Sequence, residues 1–147
     1  MGVKLASLTL TGVKSGEVRT ETVAAASAGT VARLLSASIG ISYPSRWGAT
    51  TGFHRASLVV VNGEDQITVA QVEARYDEYL ECWGGRPEPR HLVRKATFPD
   101  NEELFYRALQ AVRFDEDTEL AVRVWNATNA ASLPPVGVTV HYLETEV

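Results

Sequence analysis

Hydrophobic and polar residues alternate along much of this chain, and the clearest alternation lies near its C-terminal end. In 136–143 the residues Val136, Val138, Val140 and Tyr142 fall on one face, and in 117–126 Leu120, Val122 and Val124 do the same. Successive side chains of a strand point to opposite sides, so period two predicts two half-buried strands. A polar loop closed by Pro134 and Pro135 separates them. Residues 3–11 and 17–23 read as two more strands around a glycine-bounded turn at 12–16. Residues 56–61 and 66–70 flank Asn62 and Gly63, a pair that tolerates the positive φ of a tight primed turn, and so predict a hairpin.

The remaining segments carry weaker patterns. Residues 24–29 suit a loop or a helix start. In 31–39, Val31, Leu34, Leu35 and Ser38 fit one helical face, whereas 36–43 fit an extended strand, which is the expectation for that second half. Residues 43–52 are rich in breakers and read as an ordered loop. A strand is a weaker expectation over the acid-rich 76–83, and a firmer one over 91–98. Between them Pro87 and Pro89 make 84–90 an extended loop, because proline removes a donor and fixes the backbone. One helix is predicted over 101–113, capped by Asp100 or Asn101, with Glu102 and Glu103 at its positive end and an apolar stripe of Leu104, Ala108, Leu109 and Val112. No repeat or linker divides the sequence. The expectation is one β-sandwich domain over 1–147, all-β and mainly antiparallel, with this single short helix.

Composition limits the function classes. With 147 residues, 45% of them hydrophobic, the chain suits one core. It has no apolar run near the length of a membrane span, and residues 1–25 lack the apolar region of a secretory signal. Ala6 stands where a myristoylation pattern needs Ser or Thr. Cys82 is the only cysteine, so no internal disulfide is expected. Through Gly63 six Lys/Arg face two acids, and the remainder has eight bases against sixteen acids, about +4 followed by −8. Folding either interleaves these halves or leaves a subunit with opposed faces suited to docking on copies of itself. No basic stripe with interleaved aromatics emerges, which argues against nucleic acid as a partner.

Chemistry is sparse. His54, His91 and His141 lack neighbours at metal-ligand spacing, and the acidic run 115–119 lacks the glycine and downstream glutamate of a calcium loop. No phosphate-binding glycine loop or nucleophile elbow occurs, so no catalytic residue, cofactor or metal is expected. Asn126 and Thr128 match a glycosylation sequon but read more simply as a strand-ending turn. Tyr43, Trp47 and Phe53 share one stretch and would form a sugar-stacking platform unless they pack down on the sheet. Trp125 lies with Arg123 on the face opposite Leu120, Val122 and Val124, which makes both interface candidates. Residues 1–4 and the loop carrying Arg86 and Arg90 are candidate contact arms.

A chain of this size with strands at both ends, one short helix, long Pro/Gly loops and a late strand halting at Asn126 to Asn129 resembles the β-sandwich or jelly-roll proteins of viral capsids. It is similar to the small capsid decoration (cement) proteins of tailed bacteriophages. Residues 118–129 and 136–143 carry the resemblance, with support from 3–11; the helix is a departure that leaves strand order open. The resemblance implies a non-enzymatic virion protein, assembled in the host cytoplasm, that forms a homo-oligomer, a trimer by preference, and binds a major capsid protein or other virion subunits. The alternative is a carbohydrate- or receptor-binding β-sandwich module using the stretch from Tyr43 to Phe53, with a glycan as partner.

Overall fold

A computed structural model describes residues 2–43, 48–77 and 112–147, together with the backbone of 93–98. Nine strands run in chain order: β1 (Gly2–Leu10), β2 (Val18–Ala25), β3 (Thr30–Ser42), β4 (Gly52–Asn62), β5 (Asp65–Arg75), β6 (Val93–Phe98), β7 (Arg113–Asp115), β8 (Glu119–Thr128) and β9 (Val136–Glu146). One sheet has the order β1-β9-β3-β6, with the short β7 also pairing β3, and the other has the order β2-β8-β4-β5. All pairs are antiparallel. Leaving β7 aside, the pairs β4–β5, β3–β6, β2–β8 and β1–β9 nest around the β4–β5 turn and alternate between sheets. That is one long hairpin rolled over itself, the jelly-roll form of a β-sandwich.

The alternation read in the sequence decides which face packs inward. Val136, Val138, Val140 and Tyr142 of β9 are buried, as are Leu120, Val122 and Val124 of β8. They meet Leu34, Ile39 and Ile41 of β3 and Leu58 of β4 in one apolar cluster. Each large aliphatic side chain removed from water contributes about 1.5–3 kcal/mol before entropy is counted. Asn126 caps this interior at the end of β8. Its Nδ2 donates to the carbonyls of Val13 (3.0 Å) and Ala130 (3.2 Å), and its Oδ1 accepts from the Thr128 N–H (3.0 Å) and hydroxyl (2.6 Å). The sequon residues are not the expected turn: Asn126 to Thr128 are the last three residues of β8, paired with β4, and the Asn126 side chain is buried and bonded through both its amide atoms.

Several expectations are corrected. β3 is extended along its whole length. Its helix-like spacing comes from a bulge between Leu34 and Ser36, an extra residue that resets period two. The β4–β5 hairpin forms, but Asn62 pairs with Asp65, so Gly63 and Glu64 make the turn. Only Gly63 has positive φ there (63°), which is the requirement of a type II′ rather than a type I′ turn. The predicted helix lies outside the described residues except for Val112 and Arg113, and neither is helical. The Val112 carbonyl accepts from the Leu34 N–H (3.3 Å) and β7 docks on β3, placing Phe114 inside against Tyr142 with ring centroids 5.3 Å apart. β5 ends at Arg75, so the strand expected from Tyr76 does not begin there, and 78–83 lie outside the described residues. Residues 2–4 are not a free arm: they pair with β9, and the Lys4 ammonium lies 2.9 Å from the Glu144 carboxylate.

Candidate functional site

The outer face of the β2-β8-β4-β5 sheet gathers the most unusual surface among the described residues. Because His54, Ala56 and Leu58 of β4 point inward and are buried, Phe53 and Arg55 point outward. By the same parity β8 presents Arg123 and Trp125, the latter 36% exposed. Strand register then sets Val18, Trp125, Arg55 and Glu73 in one row across four strands, with Phe53 opposite Arg75.

A bulge makes this row. Between Leu58 and Val59 the β4–β5 register shifts by one residue. The pairing set at the turn would place Val72 opposite Arg55; the shift places Glu73 there instead. Glu73 Oε2 accepts from Arg55 Nε (2.8 Å) and lies 2.7 Å from its Nη2, while Oε1 pairs with Arg75 Nε. The carboxylate thus fixes two guanidinium groups. Arg55 lies 5.2 Å from the Phe53 ring centre and 5.5 Å from that of Trp125, and Arg75 lies 5.2 Å from Phe53. Phe53 and Trp125 meet edge to face, 5.0 Å apart at 81°. Each cation–π contact contributes about 0.5–1 kcal/mol at an exposed site, so the ladder is ordered before any partner arrives. A cleft of about 270 Å³ beside it is lined by Thr51, Gly52, Phe53, Arg75, Tyr76 and Asp77.

The other candidates are placed differently. Arg123 is tied down: it reaches across β4 to donate to Gln66 Oε1 (2.7 Å) and Thr68 Oγ1 (3.4 Å) on β5. Tyr43 is fully buried, with its hydroxyl donating to the Thr51 carbonyl (3.2 Å), so it belongs to the core and not to an exposed platform. Phe53 stands on the outer sheet face, away from it. Trp47, Arg86 and Arg90 lie outside the described residues. Sequence reasoning missed Arg55, Glu73 and Arg75. Parity carried back one residue from the strand read over 56–61 would have found Arg55; the bulge that pairs it with Glu73 left no local signal.

His54 is buried without a hydrogen-bond partner on either ring nitrogen, and that burial lowers its pKa to about 4. Among the described residues no group of three or more His, Cys, Asp or Glu is placed to hold a metal, and no helix is long and apolar enough to cross a membrane.

Comparison with known proteins returns a shape. No family model and no curated protein matches the sequence. A chain in the structure of Sulfolobus turreted icosahedral virus superposes with a TM-score of 0.51 at 15% identity, covering 97% of this chain and 29% of that one. This chain therefore spans less than a third of that virus chain. Eiger TNF from S. frugiperda aligns at TM-score 0.45 and 10% identity, covering 99% of this chain and 96% of its own. A Desmodium yellow mottle tymovirus chain aligns at 0.33 and 10%, covering 99% and 89%. At 15% identity, what the turreted virus chain shares with this one is the fold.

Proposed function

We propose that this chain is a non-enzymatic structural subunit of a virus particle, a capsid decoration or shell-stabilising protein that assembles with copies of itself and with a capsid lattice in the virion. One observation carries the reading: a jelly-roll sandwich, like that of the turreted virus chain over 97% of this sequence, presents a preorganised Arg–aromatic ladder outward. Jelly rolls recur as shell-building domains, and although fold alone does not assign function, Trp and Arg are the residues that dominate buried contacts. We assign the assembled unit as a homotrimer on the lattice, with Trp125 and Phe53 buried at a contact and Arg55 and Arg75 setting its register against an acidic surface.

The test is occupancy on expanded tailed-phage capsids together with the mass of the free protein. Trp125→Ala is expected to reduce occupancy tenfold or more, about 1.4 kcal/mol or greater, while circular dichroism shows a folded subunit. An unchanged occupancy overturns the role of the ladder. Failure of the intact protein to bind any capsid, with retention on a glycan array that Phe53→Ala abolishes, moves the assignment to the carbohydrate-binding alternative.

A further inference from the structure

β2 is the outermost strand of its sheet, pairing only with β8 among the described strands. Its regular stretch runs from Val18 to Thr22, where a bulge shifts the register before pairing with β8 resumes at Ala24. Val18 is 54% exposed, and Thr20 and Thr22 are exposed. The backbone groups of these three residues point to the open edge. The Asn126 N–H donates to the Glu17 carbonyl (3.0 Å), and bonding alternates along an antiparallel pair, so 17, 19 and 21 face β8 while 18, 20 and 22 face outward. No proline interrupts the stretch. An open edge of this kind is a template for another strand.

Charge selects the occupant. If a second copy of β2 adds antiparallel across a two-fold axis, side chains stay on matching faces only in registers that differ by two residues. Centred on Arg19, such pairing sets Arg19 against Arg19 and Glu17 against Glu21. Centred on Glu21, it sets the two glutamates against each other. Centred on Thr20, it sets Arg19 opposite the partner's Glu21 twice, adding a carboxylate from the second copy to the Glu17, Glu21 and Thr11 carbonyl that Arg19 meets within its own copy, with Thr20 opposite Thr20 and Val18 opposite Thr22. Like charges directly opposite destabilise a strand pair and opposite charges or Thr–Thr pairs support it. Thr20 is also the midpoint of the unbulged stretch, and its own N–H and C=O face the edge, as a two-fold hydrogen-bonded pair requires. Arg123, next to Thr20 on the outer face, is drawn away toward Gln66 and Thr68, so the two copies of Arg123 do not meet. Among the other edges of the described strands, β1 has Lys4 as its one charge, paired to Glu144, and on β5 the Glu73 carboxylate is taken up by Arg55 and Arg75 of the outer-face ladder, so neither edge matches β2.

We infer that two copies of this chain join β2 to β2 about a two-fold axis at Thr20, fusing their four-stranded sheets into one eight-stranded sheet. Both Trp125 ladders then lie on one continuous outer face, with Val18 against the partner's Thr22. The inference deepens the assembly reading above and shares its premise that copies meet, but it concerns a contact separate from the ladder. A shell subunit needs contacts of more than one symmetry, and a two-fold beside a trimer contact supplies them.

The experiment uses cross-linking and mass on the full chain with Cys82 replaced by Ser. A hydrogen-bonded antiparallel pair holds its Cα atoms about 5.5 Å apart, within disulfide reach. Thr20→Cys is expected to give a disulfide-linked species of about twice 16.0 kDa under mild oxidation, at least tenfold faster than Thr22→Cys alone, whereas Val18→Cys mixed with Thr22→Cys links the two variants. Thr20→Pro removes an edge-facing donor and should leave a folded monomer. Glu21→Arg should also give monomer, and Arg19→Glu combined with Glu21→Arg should restore the dimer. Equal cross-linking at 20 and 22, or a dimer that survives Thr20→Pro, overturns the β2 contact while leaving assembly itself intact. A monomer at high micromolar concentration overturns the contact without touching lattice binding, which capsid occupancy reads separately.

Discussion

Single residues here either serve the core or mark where it is exposed to conditions. His54 is the clearest case, because it sits opposite Ala74 and Asn126 on neighbouring strands with no partner for either nitrogen. Its pKa is lowered from 6.5 to about 4 by burial. The unfolded chain therefore takes up a proton near pH 6.5 that the folded chain refuses until about pH 4. Stability is complete above the unfolded value and falls as pH drops through that window, by about 3 kcal/mol at its acid end. Urea unfolding at pH 7.5, 6 and 5 should show a declining midpoint, and His54→Leu should flatten the decline; an equal slope in the variant would mean that another group controls it. The same burial logic corrects Tyr43. An aromatic beside glycines and a proline reads as exposed in a sequence, but the chain turns it under the sheet, where its ring centre lies 5.9 Å from that of Tyr76.

Elements were legible where one face alternates without interruption. β8 and β9 have no bulge between their inward residues, and both faces followed from period two. Where a bulge inserts a residue, the pattern misleads: Leu35 made β3 look half helical, and Val69 hid the pairing that builds the Arg–aromatic ladder. β1 shows how residues expected to reach out as a contact arm are held instead. Glu144 lies on β9 with its side chain buried, accepts from the Ser27 N–H (3.0 Å) and hydroxyl, and pairs with Lys4. The Lys4 hydrogen bond, followed by that of the Ser27 backbone, lowers the Glu144 pKa, so this clamp is present above the usual carboxylate range and is lost as pH falls through the lowered value. Glu144→Ala should lower the urea midpoint more than Lys4→Ala does, because it strips the Ser27 turn as well as the strand partner. The reverse order would place the stabilising contact in the aliphatic stem of Lys4.

At the scale of the molecule, strand order was beyond the sequence because it rests on distant partners: Ser7 and Thr139, 132 residues apart, share a hydrogen bond across β1 and β9. The charge asymmetry shows the same thing. β8 inserts between β2 and β4, and β9 between β1 and β3, so the basic first half and acidic second half interleave within both sheets. The topology also ranks the strands by how they open. Among the described strands, β9 and β3 in one sheet, and β8 and β4 in the other, are paired on both sides, whereas β1, β6, β2 and β5 are paired on one. Amides of the central strands should exchange with solvent only on global unfolding, and those of the edge strands through smaller openings. The amides of Val18, Thr20 and Thr22 are the exception that joins fold to assembly. Facing the open edge, they should exchange fast in dilute protein and become protected, by tenfold or more, as concentration drives β2 against β2. If they stay fast in samples whose mass has doubled, copies meet on another surface, and the exposed face holding Trp125 is the next place to look.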